Sequence, residues 1–133
     1  MDGAILSAAV ADFTPVKKYD QKIKEKQSLT IELKPNPDIA QELGKLKTNK
    51  QVVAGFALET NNEFAHAQKK LERKNFDFIV LNSLADKGAG FGYETNKVSI
   101  IKREGEVLHF DLKPKKEVAK DIITILASYF TKK

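Results

Sequence analysis

Short apolar runs alternate along this chain with segments whose apolar residues recur at helical spacing. Residues 4–9, 52–57 and 78–81 are small or apolar almost throughout and predict buried strands. Residues 29–33 alternate between apolar and polar side chains, which is the period of a half-buried strand, and Pro35 ends it. Strands that alternate with helices are typical of an α/β domain with a parallel sheet.

The first predicted helix begins after this half-buried strand and ends near residue 46. Asn36 is the expected N-cap, Pro37 suits the first helical position, and Asp38 favours the first turn. One face of the helix carries three apolar residues: Ile39, Leu43 and Leu46.

A second helix is predicted to follow residues 60–62, which offer caps, and to end near Lys74. At about 100° per residue, Phe64, Ala67 and Leu71 form one apolar stripe along the helix. Lys70 and Lys74 lie about 60° from this stripe, on one side of it, which we call its shoulder. Lys69 and Arg73 point roughly opposite the stripe, to solvent. Shoulder lysines can bury their stems and extend their ammonium groups toward a sheet edge, which makes Lys70 and Lys74 the better phosphate candidates. An ordinary solvated helix rich in lysine is an open alternative.

The last third of the chain predicts a hairpin and a closing helix. Residues 98–101 and 107–112 flank the turn residues 103–106, which is typical of a β-hairpin, and we expect it at a sheet edge. Residues 115–130 place apolar side chains at helical spacing and predict an amphipathic helix packed on the sheet.

Two segments predict loops. Residues 10–27 contain Pro15 and several lysines and predict a long mobile loop with a functional role. Residues 83–96 are rich in glycine but lack the lysine and hydroxyl residue of a phosphate loop. We expect this second loop to hold Phe91 and Asn96 near a site.

Composition narrows the function classes. The 133 residues contain no cysteine, which excludes disulfides, cysteine nucleophiles and zinc-thiolate sites and agrees with a cytoplasmic setting. His66 and His109 are isolated in sequence and are expected at the surface, so they do not favour a Ser-His-Asp triad. Lys and Arg outnumber Asp and Glu by 23 to 18, a net charge of +5, which favours anionic partners without choosing among them.

Three polar blocks follow apolar runs and are candidates for ligand binding. The alanines of residues 8–12 would let a ligand approach the backbone, and Asp12 can accept hydrogen bonds from a ribose or base, although small residues also suit a crowded sheet. Lys22 and Lys24 on a mobile loop can close over a triphosphate, although most lysine clusters are simply solvated. The helix start at 36–39 leaves backbone N–H groups that favour anions.

Together, the order and spacing of these blocks resemble phosphopantothenoylcysteine synthetase, the ligase of coenzyme A biosynthesis, over nearly the whole chain. The matching blocks are Ala-Ala-Val-Ala-Asp at 8–12, Lys-Ile-Lys at 22–24, Asn-Pro-Asp-Ile at 36–39, Gly-Phe-Ala-Leu-Glu-Thr at 55–60, Lys70, Lys74 with Asn75, Gly-Phe-Gly at 90–92, and Asn96.

This resemblance implies a fold and a reaction. The fold would be α/β, a Rossmann-like three-layer sheet with helices on both faces and a β-hairpin extension. In the reaction, a carboxylate of 4′-phosphopantothenate attacks the α-phosphate of a nucleoside triphosphate and releases pyrophosphate, and the amine of L-cysteine then displaces the nucleotide. The block at 36–39 is typical of bacterial members that use CTP, so the resemblance favours CTP, an acyl-cytidylate intermediate and CMP as a product. Magnesium would accompany the triphosphate.

The resemblance also implies roles for individual residues. Lys22 would lie on a flap that closes over the site and would be the catalytic residue, holding phosphates together with Lys70 and Lys74. The remaining residues would contact the nucleotide, with Ala8 at the close approach of the ligand: Ala8, Asp12, Asn36, Pro37, Asp38, Ile39 and Phe56. The resemblance leaves the metal ligands unknown.

The chain is expected to be a single domain, residues 1–133, forming the C-terminal nucleotide-binding part of the synthetase. It begins almost directly with a predicted strand, so we expect it to be the later part of a longer protein, incomplete without an upstream half and inactive alone. A homodimer is expected, with either the hairpin or residues 29–33 taking part. Two alternatives stay open: a non-catalytic nucleotide-binding module and a basic nucleic-acid-binding module, the latter disfavoured because the lysines are dispersed.

Overall fold

A computed structural model of the protein describes residues 1–24, 28–59, 61–83 and 92–131. Within these residues the elements are, in chain order, β1 (Gly3–Leu6), β2 (Phe13–Pro15), β3 (Leu33–Pro35), α1 (Ile39–Leu46), β4 (Val52–Glu59), α2 (Glu63–Arg73), β5 (Phe78–Ser83), β6 (Thr95–Asn96), β7 (Val98–Lys102), β8 (Val107–His109), β9 (Lys113–Pro114) and α3 (Lys115–Thr131).

The central sheet has five strands in the order β1-β4-β5-β7-β8. β1, β4 and β5 run parallel, with Ile5 opposite Ala54 and Ala54 opposite Phe78. β7 and β8 continue the sheet as an antiparallel hairpin, as predicted, and β8 forms one edge. The carboxyl ends of the three parallel strands therefore lie along the same edge of the sheet, where α/β folds place ligand sites.

Helices cover both faces of this sheet, which confirms the three-layer α/β fold. Side chains alternate across a strand, so Val52 and Ala54 of β4 face α3, while Val53 and Ala57 face the opposite side. The α3 face is closed by Val118, Ile122 and Ile125. The other face is closed by Ala67 and Leu71 of α2, with Ala40 and Leu43 of α1 packed beside them.

The predicted strands in the body of the sheet are confirmed, with shifted ends. β4 and β5 are each longer than the apolar runs that predicted them. β1 ends at Leu6 rather than residue 9, and residues 7–11 are exposed. Residues 115–130 form α3 as predicted, and no helix among the described residues is long and apolar enough to cross a bilayer.

The half-buried strand predicted at 29–33 is wrong. The strand is Leu33–Pro35, and it pairs antiparallel with β2, which lies inside the segment predicted to be a loop. Leu29 and Ile31 are 47% and 60% exposed, so their side chains do not form the buried half of a strand. Proline has no backbone N–H to donate, and at the end of a two-stranded ribbon this loss breaks no hydrogen bond of a larger sheet.

The predicted cap of α1 is also wrong, and of the three apolar residues on the predicted face Leu43 packs against the core. The N-cap is Asp38, whose Oδ1 accepts the N–H of Gln41 at 3.0 Å, whereas Asn36 lies two residues earlier. Ile39 and Leu46 are 60% and 76% exposed. Gly44 is buried instead, and it lies so close to the backbone carbonyl of Lys74 that a Cβ at this position would overlap it.

The remaining predictions concern single residues. His66 and His109 are exposed, as expected. Asn62 is the N-cap of α2 but makes no side-chain capping hydrogen bond. Thr60, Gly90 and Phe91 lie outside the described residues.

Candidate functional site

A cleft of about 570 Å³ opens at the carboxyl ends of β1 and β4, between the segment after β1 and the start of α1. This volume lies in the usual range of small-molecule sites. All the residues predicted to contact the nucleotide line it except Lys22: Ala8, Asp12, Asn36, Pro37, Asp38, Ile39, Phe56, Lys70 and Lys74.

One wall of the cleft is the segment that follows β1, and Asn36 holds it in place. The side-chain amide of Asn36 donates to the carbonyl of Ala11 at 2.8 Å, and its backbone N–H donates to the carbonyl of Asp12 at 2.8 Å. The sequence predicted Asn36 as a helix cap and a ligand contact. It is not the cap: its donors join the wall that carries Asp12 to the chain entering α1, and Asn36 also lines the cleft.

The start of α1 faces the cleft, and Asp38 interacts there with both the helix backbone and Lys74. Lys74 donates to Asp38 Oδ1 at 3.1 Å, and the Lys74 side chain is only 15% exposed. Partial burial raises the pKa of the Asp38 carboxyl, but the N–H of Gln41 and the Lys74 ammonium outweigh it, so the net pKa lies below its ordinary value. Asp38 therefore stays ionised while it caps α1 and holds Lys74.

Lys70 extends from α2 into the cleft and donates to the backbone carbonyl of Phe56 at 2.8 Å. Burial lowers the pKa of its ammonium below the usual lysine value, and the neighbouring Lys74 charge acts in the same direction, while Glu59 opposes both. A partly desolvated ammonium that donates to a neutral carbonyl would gain from an approaching anion. The shoulder positions predicted for Lys70 and Lys74 are confirmed, and Lys69 and Arg73 are exposed as expected.

The floor of the cleft is a close contact between β4 and the segment after α2. Gly55 lies against Phe76, and a Cβ at Gly55 would overlap the phenyl ring, which is 1% exposed. Phe56 lines the cleft beside this contact. Sequence reasoning quoted Gly55 only as part of a block and missed Phe76, although a glycine inside a buried strand is a known sign of close approach.

A second, shallower opening on the outer side of α2 adjoins the cleft through Asp12, Lys70 and Lys74. Here Glu59, at the end of β4, pairs with His66 at 3.4 Å. Neither residue was predicted as part of the site. The position of Glu59 at the carboxyl end of a parallel strand was the signal available in the sequence.

Two predicted features lie away from the cleft. Lys22 is exposed, in the connection between β2 and β3, and does not line the cleft in this structure. Asn96 is buried in β6, where its Oδ1 accepts the N–H of Lys97, and it is not a lining residue. Among the described residues, no group of three or more His, Cys, Asp or Glu could hold a metal ion.

The fold and this cleft define a class, the α/β domains that place a ligand site at the carboxyl edge of a parallel sheet. A family model described as the DNA/pantothenate metabolism flavoprotein C-terminal domain matches residues 1–129. The chain therefore belongs to this family, and the similarity supports its predicted place among the phosphopantothenoylcysteine synthetases.

Two curated relatives illustrate the similarity. The chain is 41% identical over 128 residues to the coenzyme A biosynthesis bifunctional protein CoaBC of Bacillus subtilis (strain 168), covering 96% of this chain and 31% of that protein. It is 56% identical over 123 residues to a cysteine/cysteine sulfinic acid decarboxylase of an unknown prokaryotic organism, covering 92% of this chain and 34% of that protein. The chain thus spans about a third of the length of these relatives.

Solved structures share the fold. The C-terminal domain of a coenzyme A biosynthesis bifunctional protein CoaBC superposes with a TM-score of 0.76 at 36% identity, covering 99% of this chain and 58% of that one. The H337A mutant of Cab2 in complex with phosphopantothenate-cysteine has a TM-score of 0.66 at 19% identity, covering 92% of this chain and 43% of that one. This second likeness concerns the fold.

Proposed function

We propose that the cleft binds CTP and that the domain is the nucleotide-binding part of a phosphopantothenate–cysteine ligase of coenzyme A biosynthesis. The observation that carries the proposal is the convergence of Lys70, Lys74 and the N-terminus of α1 on one cleft at the carboxyl edge of the sheet. Two ammonium groups and a helix N-terminus suit a polyphosphate, because all three favour negative charge.

In the proposed reaction, a carboxylate oxygen of 4′-phosphopantothenate forms a bond to the α-phosphorus of CTP, and the bond from that phosphorus to the bridging oxygen breaks, releasing pyrophosphate. The amine nitrogen of L-cysteine then attacks the acyl carbon, and CMP leaves. Lys70 and Lys74 would hold the phosphates, Asp12 and residues 36–39 with Phe56 would contact the nucleoside, and Ala8 would permit its close approach. Lys22 would join the phosphates when its segment closes over the cleft.

Magnesium fits this site only as part of the nucleotide complex. Asp38 Oδ1 already accepts from Gln41 and Lys74, and the described residues offer no preformed cage of carboxylates or histidines. Mg²⁺ is commonly held by substrate phosphates with one or two carboxylates. It would offset the triphosphate charge, while Lys70 and Lys74 bind the oxygens that remain.

Binding measurements test the proposal and its two alternatives. We expect calorimetry to give tighter binding of CTP than of ATP or a short RNA, both with this chain and with the chain extended upstream. Tighter binding of RNA than of CTP would overturn the proposal. Binding of CTP without any turnover, even by the extended chain, would leave a non-catalytic nucleotide-binding module as the better description.

Product measurements on the extended chain test the chemistry. Pyrophosphate release that requires both CTP and phosphopantothenate supports the ligase. Because the name of one relative is that of a decarboxylase, release of carbon dioxide from cysteine or cysteine sulfinic acid is measured in parallel. Carbon dioxide without pyrophosphate would contradict the ligase.

A further inference from the structure

The segment between α2 and β5 begins with Lys74, one of the two cleft lysines, and Asn75 follows it. Asn75, directly after Lys74, has a left-handed backbone with φ of 54°. This conformation costs asparagine less than most residues, and it turns the chain out of α2 immediately after the lysine.

Both ends of the Asn75 side chain are bonded to other elements. Its Nδ2 donates to the carbonyl of Gly44 at 2.6 Å, and its Oδ1 accepts from Nη2 of Arg103 at 2.6 Å. Gly44 lies in the last turn of α1, where carbonyls lack partners within the helix. Asn75 thus supplies a partner that α1 cannot, and joins α1 to the β7–β8 hairpin.

The same contact fixes the backbone of Lys74. A Cβ at Gly44 would overlap the Lys74 carbonyl, so the two helices meet at van der Waals distance at this point. At the other end of α1, Asp38 accepts from the Lys74 ammonium at 3.1 Å. α1 therefore holds Lys74 at both ends, through its backbone at Gly44 and through its side chain at Asp38.

We propose that Asn75 is a positioning residue for Lys74, setting its ammonium where the phosphates of the nucleotide bind. The inference rests on the proposed function, because it assigns Lys74 to phosphate binding. Asn75 contacts no ligand in this scheme. It acts through the Gly44 carbonyl and the left-handed turn, so its removal affects only the part of the affinity that depends on phosphate.

The test compares CTP with cytidine, which lacks phosphates. Asn75→Gly keeps the left-handed backbone and removes both side-chain hydrogen bonds. We expect it to weaken CTP binding about tenfold in calorimetry and to leave cytidine binding unchanged. Asn62→Gly is the matched control, because Asn62 also has a left-handed backbone, with φ of 47°, but makes no side-chain capping hydrogen bond. It should change neither affinity.

A double-mutant cycle separates positioning from general packing. If Asn75 acts through Lys74, Asn75→Gly should cost nothing further for CTP in a Lys74→Met background. Additive losses, equal losses for CTP and cytidine, or an unchanged CTP affinity would each overturn the inference. Asn75→Asp, which can still accept from Arg103 but cannot donate to Gly44, should reproduce the loss and serves where the glycine variant folds poorly.

Measurements on the wild-type protein separate this inference from the proposed function on which it rests. Tighter binding of CTP than of cytidine, with no effect of Asn75→Gly, overturns the positioning role alone. Equal affinities for CTP and cytidine in the wild type would overturn the phosphate role of Lys74, and the inference with it.

Discussion

Both cleft lysines donate hydrogen bonds to protein oxygens at the points where the proposed phosphates would bind. Lys70 donates to the Phe56 carbonyl and Lys74 to the Asp38 carboxylate. A phosphate must therefore compete with a neutral carbonyl at Lys70 but with a carboxylate at Lys74. Because the carbonyl is the weaker competitor, Lys70 should contribute more to nucleotide affinity than Lys74.

Lys70→Gln should weaken CTP binding by about ten- to a hundredfold, the usual worth of a hydrogen bond to a charged group. Lys69→Gln is the matched control, since Lys69 is the preceding residue on α2 and is exposed. Calorimetry at constant ionic strength measures both variants. Equal losses in the two variants would mean that only the general charge of α2 matters.

Gly55→Ala should destabilise the protein by about 1–3 kcal/mol, because the added methyl group would overlap the ring of Phe76 and force the core to shift. Gly3→Ala is the comparison on the neighbouring strand β1. A Cβ there would meet its nearest atoms at 3.4 Å, so this change should cost less than about 1 kcal/mol. Urea unfolding measures both, and equal losses would refute the close contact.

At the scale of elements, helical phase predicted α2 well and α1 poorly. In α2, Ala67 and Leu71 are buried against the sheet and the shoulder lysines reach the cleft, while Phe64 at the start of the stripe is 45% exposed. In α1 the apolar residues Ile39 and Leu46 are exposed. There Gly44 decides the orientation through a close contact with another helix, and periodicity carries no information about such a contact.

The same limit applies to the chain between β1 and α1. Alternation at 29–33 indicated a half-buried strand, yet the pairing that forms is between β2 and β3. Pairing in a ribbon depends on the partner strand, which local alternation does not identify. Ala8, Asp12 and residues 36–39 were predictable because they follow apolar runs, and Lys70 and Lys74 because of their helical phase. Their mutual contacts, such as Asn36 with Ala11, required the structure.

Asp38 links the cap of α1 to the charge of the cleft, and two variants separate these roles. Asp38→Ala should cost about 1 kcal/mol of stability through the lost cap, while Asp38→Asn keeps a capping oxygen. The Asp38 pKa is lowered from 3.8 in the folded protein, so its charge stabilises the fold above about that pH and this contribution disappears as pH falls through the lowered value.

The stability difference between wild type and Asp38→Asn should therefore shrink on going from about pH 7 to about pH 3. Urea unfolding at the two pH values, with both proteins in the same buffers, gives the comparison. A difference that grows on acidification would contradict the direction of the pKa shift.

In the molecule as a whole, the chain enters and leaves the β2–β3 ribbon at the cleft. It begins just after Asp12 and ends just before Asn36, and these two residues are joined by the bond from the Asn36 N–H to the Asp12 carbonyl. The described residues of the segment that carries Lys22, 16–24 and 28–32, thus lie between two strands whose outer ends meet at the rim of the site. The closure proposed for Lys22 would require the chain to bend at this rim.

Lys22→Gln should slow turnover about a hundredfold in the chain extended upstream, because a lysine that arrives on closure stabilises charge developing on the departing pyrophosphate. Stability should not change, since Lys22 is exposed. Lys18→Gln, an exposed lysine of the same segment, is the control and should keep full activity. Pyrophosphate release under saturating CTP measures turnover, and thermal unfolding measures stability. Unchanged turnover in Lys22→Gln would remove Lys22 from the site and leave Lys70 and Lys74 as the phosphate-binding lysines.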